Sequence, residues 1–251
     1  MPGQNQFLRA LSPSLLERLK PRLRSMNYTP GDVLFRAGDK VANVYFLQSG
    51  AISLVLELAG GEMIESAMIG RDSVVGGGAA LDVRDAVYKA IVQVPGSGSA
   101  LDIDTARQIA RDSEEFRTAI VRHEQVILAQ AQQSAACNAV HNLQERLARW
   151  LLRVRDATGN DSFQLTQEFI AEMLGVRRTS VSIVAHQLQQ AGLISYKRGH
   201  ISIDNLTALQ DSACECYSTV KAHYDRLLSN CSEHSNRTAK KETPPCGGVS
   251  D

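Results

Sequence analysis

The chain has 251 residues, 43% of them hydrophobic and 22% charged, with 27 Lys and Arg against 27 Asp and Glu. That length holds two ordinary domains, and no apolar run approaches the roughly 20 residues that would cross a bilayer. A net charge of zero excludes a protein that coats nucleic acid by bulk basicity, while leaving room for one local basic face.

Met1-Pro2-Gly3-Gln4-Asn5-Gln6 lacks the basic-then-apolar layout of a signal peptide, so a cytoplasmic location is expected. Over residues 8 to 26, Ser12-Pro13 resembles a cap, and Leu15, Leu16, Leu19 and Leu23 share one side of an amphipathic helix. From Tyr28 to about Leu101 the pattern changes to short apolar runs, such as Val33-Leu34-Phe35, Val44-Tyr45-Phe46-Leu47 and Ile52-Ser53-Leu54-Val55-Leu56. Glycine breaks at Pro30-Gly31, Gly38-Asp39, Ser49-Gly50, Gly60-Gly61, Gly70 and Gly76-Gly77-Gly78 punctuate them, which predicts an all-β sandwich or roll.

A stretch from Glu114 to Cys137 without Gly or Pro predicts a long helix, with Phe116, Ile120, Ile127, Leu128 and Ala131 on one face. Helices of this kind often pair with their own copy, and Ala129, Ala131, Ala135 and Ala136 would permit close approach. Asn142 to Val154 predicts a further amphipathic helix carrying Leu143, Leu147, Trp150 and Leu151.

Leu165 to Val184 is the most specific segment. Thr166 is a plausible N-cap. Phe169, Ile170, Met173 and Leu174 form one apolar helical face, and Gly175 suits the left-handed end of that helix. After Val176, a second helix buries Val181, Val184 and Leu188 and turns Arg177, Arg178, Thr179, Ser180 and Ser182 the other way. Leu193-Ile194 enters a strand, Ser195-Tyr196-Lys197-Arg198-Gly199-His200 makes a basic turn, and Ile201-Ser202-Ile203 returns. Helix, turn, helix and basic hairpin make a winged helix-turn-helix, whose second helix enters the major groove of DNA. Arg177, Arg178, Thr179, Ser180 and Ser182 are expected to face the groove. Thr166, Gln167, Lys197 and Arg198 are expected to hold phosphates and fix register.

Leu206, Leu209, Ala213, Cys216, Tyr217, Val220, Tyr224 and Leu227 recur at spacings of three and four, predicting one more helix, and the polar residues from about Ser232 predict a disordered tail. The five cysteines are Cys137, Cys214, Cys216, Cys231 and Cys246, an odd number that speaks against a disulfide framework. Cys214-Glu215-Cys216 has no second pair of zinc-ligand spacing in the sequence, so structural cysteines are expected, with a redox switch through Cys137, Cys214 or Cys216 as the alternative. His123, His141, His186, His200, His223 and His234 stand at no catalytic spacing to an acid or nucleophile. The expectation is a non-enzyme without metal or cofactor.

The order of β-roll, long helix and winged helix-turn-helix resembles the Crp/Fnr superfamily of bacterial transcription regulators. Tyr28-Thr29-Pro30-Gly31-Asp32-Val33-Leu34-Phe35-Arg36-Ala37-Gly38-Asp39 is similar to that family's first strand pair, and Val44-Tyr45-Phe46-Leu47-Gln48-Ser49-Gly50 to its next strand. Gly175-Val176-Arg177-Arg178-Thr179-Ser180-Val181 looks like its recognition-helix entrance. The resemblance covers about residues 8 to 205, and Cys214-Glu215-Cys216-Tyr217 is similar to a C-terminal extension of one subgroup. It implies an α+β chain divided as follows: a cyclic-nucleotide-binding-like jelly-roll sensor at 8–112, a dimerisation helix at 113–137, a winged helix-turn-helix with an extra C-terminal helix at 138–230, and a tail at 231–251. It also implies a homodimer on a palindromic operator in double-stranded DNA, no membrane partner, RNA polymerase as a further partner if the protein activates, and a small-molecule effector.

The sequence departs from the family in two places. Cyclic-AMP-responsive members bind the cyclic phosphate through an arginine–serine pair and backbone N–H groups. Here the matching stretch keeps Gly76, Gly77 and Gly78, but Gly77 replaces the ribose-binding glutamate and no Arg-Ser follows. Arg84 and Lys89 are the nearby cations, so these five residues are the candidate effector pocket, and cyclic AMP held in the usual way is not expected. No cysteine precedes Cys137, which argues against the N-terminal iron–sulfur mechanism. In the recognition helix, Arg178-Thr179 and Ile183 replace the family's Arg-Glu and later arginine. Arg178 can still bond a guanine edge, Ile183 only an apolar group, and a different half-site follows. The rival expectation is a sensor that acts through protein contacts.

Overall fold

A computed structural model describes residues 5–229, without side chains for the last three; the expected tail at 231–251, Cys231, Cys246 and the packing of Leu227 lie outside what is described. The N-terminal segment is two short helices, α1 (Gln6–Arg9) and α2 (Pro13–Leu19), and a 3-10 turn (Lys20–Arg22), rather than the one helix expected over residues 8 to 26. Two prolines explain the difference. Pro13 takes the first position of α2 behind the Ser12 cap, and Pro21 lacks the N–H that would extend α2.

Eight strands follow: β1 (Arg24–Tyr28), β2 (Val33–Phe35), β3 (Asn43–Leu47), β4 (Ala51–Glu57), β5 (Met63–Ile69), β6 (Val74–Val75), β7 (Lys89–Val94) and β8 (Gly96–Asp102). Among the described residues they form two antiparallel four-stranded sheets, ordered β1-β8-β3-β6 and β2-β7-β4-β5. These face each other as a jelly roll around Phe46, Leu54, Ile69, Val92 and Leu101. A 3-10 turn (Gly77–Ala80) interrupts the roll after β6.

Helix α3 (Ile103–Asp112) leads to α4 (Glu114–Val140), the long helix of the molecule. Phe116, Ile120 and Ile127 of α4 join the core of the roll. The face expected to be continuous is split, because Leu128 stays 57% exposed on the opposite side. His141 ends α4, and Asn142 opens α5 (Leu143–Thr158) with a reciprocal capping box to Glu145. Then come β9 (Ser162–Gln164), α6 (Gln167–Leu174), α7 (Arg178–Gln190), β10 (Ile194–Lys197) and β11 (His200–Ile203), with the three strands ordered β10-β11-β9. The final helix expected from Leu206 onward is two, α8 (Leu206–Asp211) and α9 (Cys216–Ser229). The chain turns between them because Leu209 packs into the winged domain, while Val220 and Tyr224 pack on Val126 of α4.

Strands β4 and β7 read as near-continuous apolar runs because their sheet is buried on both faces. Ile52, Leu54, Ala90 and Val92 point into the roll, whereas Ala51, Val55 and Ile91 meet Trp150, Leu151 and the rest of the winged domain. One polar island interrupts this second face. Glu65 accepts from Ser53 Oγ at 2.6 Å and from Trp150 Nε1 at 3.1 Å. Among the described residues, no helix is long and apolar enough to cross a membrane.

Candidate nucleic-acid interface and effector site

The helix-turn-helix is built from the residues read in sequence. Thr166 Oγ1 accepts the Phe169 N–H at 3.2 Å, which caps α6. Gly175 ends α6 at φ 62°, a left-handed conformation that favours glycine. A side chain there would also press on Ile64 of β5, with a Cβ only 3.1 Å from Ile64 Cγ1. Val181, Ala185 and Leu188 bury the inner stripe of α7.

The outer face of α7 carries Thr179, Ile183, His186, Gln187 and Gln190, all exposed and spaced to lie along one side of a helix. Ile183 is 62% exposed, an apolar side chain left uncovered among the described residues. His186, Gln187 and Gln190 were not among the expected site residues; their signal was the spacing of seven, eight and eleven from Thr179. No side chain caps the start of α7, so its first N–H groups, with Arg177 and Arg178 beside them, suit an anionic oxygen. Arg178 Nε lies 3.8 Å from Glu168 Oε2, with both side chains 65% exposed. Such a pair is weak and easily exchanged for another partner.

Ser182, expected in the groove, and Gln167, expected on a phosphate, bond each other. Ser182 Oγ donates to Gln167 Oε1 at 2.5 Å and also contacts the Arg178 carbonyl at 3.1 Å. Gln167 and Ser182 therefore tie α6 to α7, and Ser180 is half-buried. Lys197 and Arg198 are exposed at the tip of the β10–β11 hairpin. Arg198 holds φ 51° and Gly199 φ 77°, the two positive values that a tight two-residue hairpin turn requires. Tyr196 OH donates to the Leu165 carbonyl at 2.8 Å, bracing that hairpin; burial pushes its phenol up to about 12.

The candidate effector residues have partners of their own. Gly76 takes a left-handed φ of 76° ahead of the 3-10 turn, and the Gly78 N–H donates to Glu124 Oε1 of α4 at 2.8 Å. Burial raises the Glu124 carboxyl and the Gly78 bond opposes that rise. Arg84 pairs with Asp104. Lys89 lies on the outer side of its sheet, 3.6 Å from Glu57 and beside Met63. Of the groups able to hold a metal, Cys137, His141, Cys214 and Cys216 stand together, with all ligand atoms within 4.8 Å of one another.

Two domain families match this chain: the cyclic nucleotide-binding domain over residues 25–113 and the Crp-like helix-turn-helix domain over residues 145–212. The chain is similar to the global nitrogen regulator of Nostoc sp., 26% identical over 179 residues that span 68% of this chain and 80% of the relative. Among solved structures, FixK2 of Bradyrhizobium japonicum superposes with a TM-score of 0.66 at 16% identity, covering 76% of this chain and 98% of that one. A CRP-family transcriptional regulator of Thermus thermophilus superposes with a TM-score of 0.63 at 22% identity, covering 75% and 96%.

Proposed function

We propose that this chain, which has the Crp/Fnr-superfamily transcriptional regulator fold with both of its matched domains, works as a homodimer that reads a palindromic operator. The observation that carries this reading is the outer face of α7: one uncovered stripe from Thr179 through Ile183 to Gln190, entered by Arg177 and Arg178 and flanked by the Lys197-Arg198 hairpin. Its chemistry suits a major groove, with Arg178 for a guanine edge, Ile183 for a thymine methyl and glutamine for adenine. A two-fold dimer places half-sites about one helical turn, roughly 10 bp, apart.

The effector is not cyclic AMP bound in the usual way. Glu124 already occupies the Gly78 N–H, a backbone donor of the glycine turn. An arriving phosphate would meet a carboxylate and no bidentate cation. Selection of bound duplexes from a random pool, with and without cyclic nucleotides, tests both halves of this proposal. One enriched palindrome, unchanged by cyclic AMP, is expected. Arg178→Ala then weakens the selected site by roughly 1–3 kcal/mol and random DNA by less. Equal losses on both would show that Arg178 reads no base.

A further inference from the structure

DNA recognition leaves the cysteines unused, yet three of them converge from distant parts of the chain. Cys137 lies on the last turn of α4, and His141 is the residue that ends that helix. Cys214 stands in the turn between α8 and α9, and Cys216 is the first residue of α9. All three cysteines are buried.

The distances are those of one coordination sphere. Cys137 Sγ is 3.5 Å from Cys214 Sγ, and Cys216 Sγ is 3.6 Å from His141 Nδ1. Two sulfurs each about 2.3 Å from a tetrahedral zinc ion stand about 3.8 Å apart. The two closest separations fall near that value, and all four atoms lie within 4.8 Å of one another, close enough to share a single ion. We propose that Cys137, His141, Cys214 and Cys216 bind one thiophilic divalent cation of the zinc class, which clamps α9 to the junction of α4 and α5.

The surroundings of the four residues fit that role. His141 presents Nδ1 to the cysteines and Nε2 to the Glu215 carboxylate, 3.2 Å away. A metal-bound histidine usually donates its far N–H to such a carboxylate, which fixes the tautomer and the ring. Gln133 Nε2 donates to Cys216 Sγ at 3.0 Å. Three thiolates around a divalent cation leave one net negative charge. Arg149 acts electrostatically on Cys137, and Arg146 on both Cys137 and Cys214. The Nε atoms of both arginines are buried without a hydrogen-bond partner among the described residues, while Arg146 also bonds the Leu174 carbonyl and Arg149 also acts on Glu65. Each thiol gives up its proton when the cation binds.

The test uses the full chain, purified reduced and metal-free, and titrated with cobalt(II) and then zinc(II). Cobalt(II) is expected to saturate at one ion per chain with the visible bands of a tetrahedral thiolate complex, and zinc(II) to displace it. Cys214→Ser and His141→Gln each abolish that spectrum. Glu215→Gln, a change to a largely exposed side chain, keeps the fold and weakens zinc binding about 10–100-fold. Absence of stoichiometric uptake, or uptake unchanged in Cys214→Ser, overturns the site. So does a Cys137–Cys214 disulfide that forms equally fast with and without zinc, which would mark a redox pair. None of these readouts involves DNA, so their failure leaves the operator-binding proposal standing.

Discussion

Glu65 and His123 are buried groups whose titrations pull stability in opposite directions. Burial lifts the Glu65 carboxyl from its ordinary 4.5 to about 7, against the lowering effect of Ser53, Arg149, Trp150 and Arg153. Between those values the folded chain keeps a proton that the unfolded chain has lost, so this group's contribution to stability falls as pH rises. His123, packed against Phe7 and bonded to Ser73 Oγ at 2.8 Å, is pushed down from 6.5 to about 4 by burial, against the pull of Asp72. There the unfolded chain holds the extra proton between about 4 and 6.5, and stability rises with pH. The two slopes oppose each other across pH 4.5 to 6.5. Glu65→Gln removes the first slope and leaves the second. Urea midpoints of that variant should therefore fall more steeply than wild type as pH is lowered from 6.5 to 4.5. Parallel curves for the two proteins would mean that Glu65 is already ionised in the folded chain.

Helix α4 has two working faces, and only their sum was legible in the sequence. The absence of Gly and Pro from Glu114 to Cys137 marked a long helix, but apolar spacing alone could not say what each side meets. Phe116 and Ile120 go to the roll, Val126 goes to α9, and Gln130 bonds both the N–H and the carbonyl of Met68 at 3.1 and 3.3 Å. What remains exposed is a stripe of Val121, Gln125, Leu128, Gln132, Ala135 and Ala139. Its alternating spacing of four and three is that of a two-helix seam, and Ala135 and Ala139 permit close contact toward the C-terminal end. Leu128→Glu places two carboxylates face to face in such a seam. It should raise the dimer dissociation constant on the order of 100-fold and leave the circular dichroism of the chain unchanged. Sedimentation velocity across a dilution series reads the outcome; a dimer that persists puts the seam elsewhere. The metal-ligand cluster was illegible for a related reason. Cys137 and His141 stand at the end of one helix, and Cys214 and Cys216 at the start of another far along the chain. Neither pair is diagnostic until α9 folds back on α4.

At the scale of the molecule, the sheet formed by β2, β7, β4 and β5 is shared property. Its inner face closes the roll and its outer face is the floor on which the winged domain sits, with Met68 and Ile91 beneath Trp150 and Leu151. The sequence marked β2 and β4, and the near-continuous apolar character of β4 was the trace of this double burial. The second partner stayed hidden because it arrives from residues after 140. A second tie reinforces the contact: Arg153 of α5 bonds Asp72 at 2.9 Å, the Met68 carbonyl at 2.9 Å and Tyr224 OH of α9 at 2.8 Å. A charge so buried is costly to strand without its partners, which makes separation of the two domains an expensive excursion. The expected consequence is that the roll and the winged domain unfold as one cooperative unit, and that a change in the roll reaches α7 through this floor. Met68→Ala, which opens a cavity at the centre of the contact, should cost roughly 2–5 kcal/mol. Amide hydrogen exchange should then accelerate together in β4, β7, α5 and α7. Loosening confined to α5 and α7, with the strands still fully protected, would show two independent units and would remove the shared sheet as the route between them.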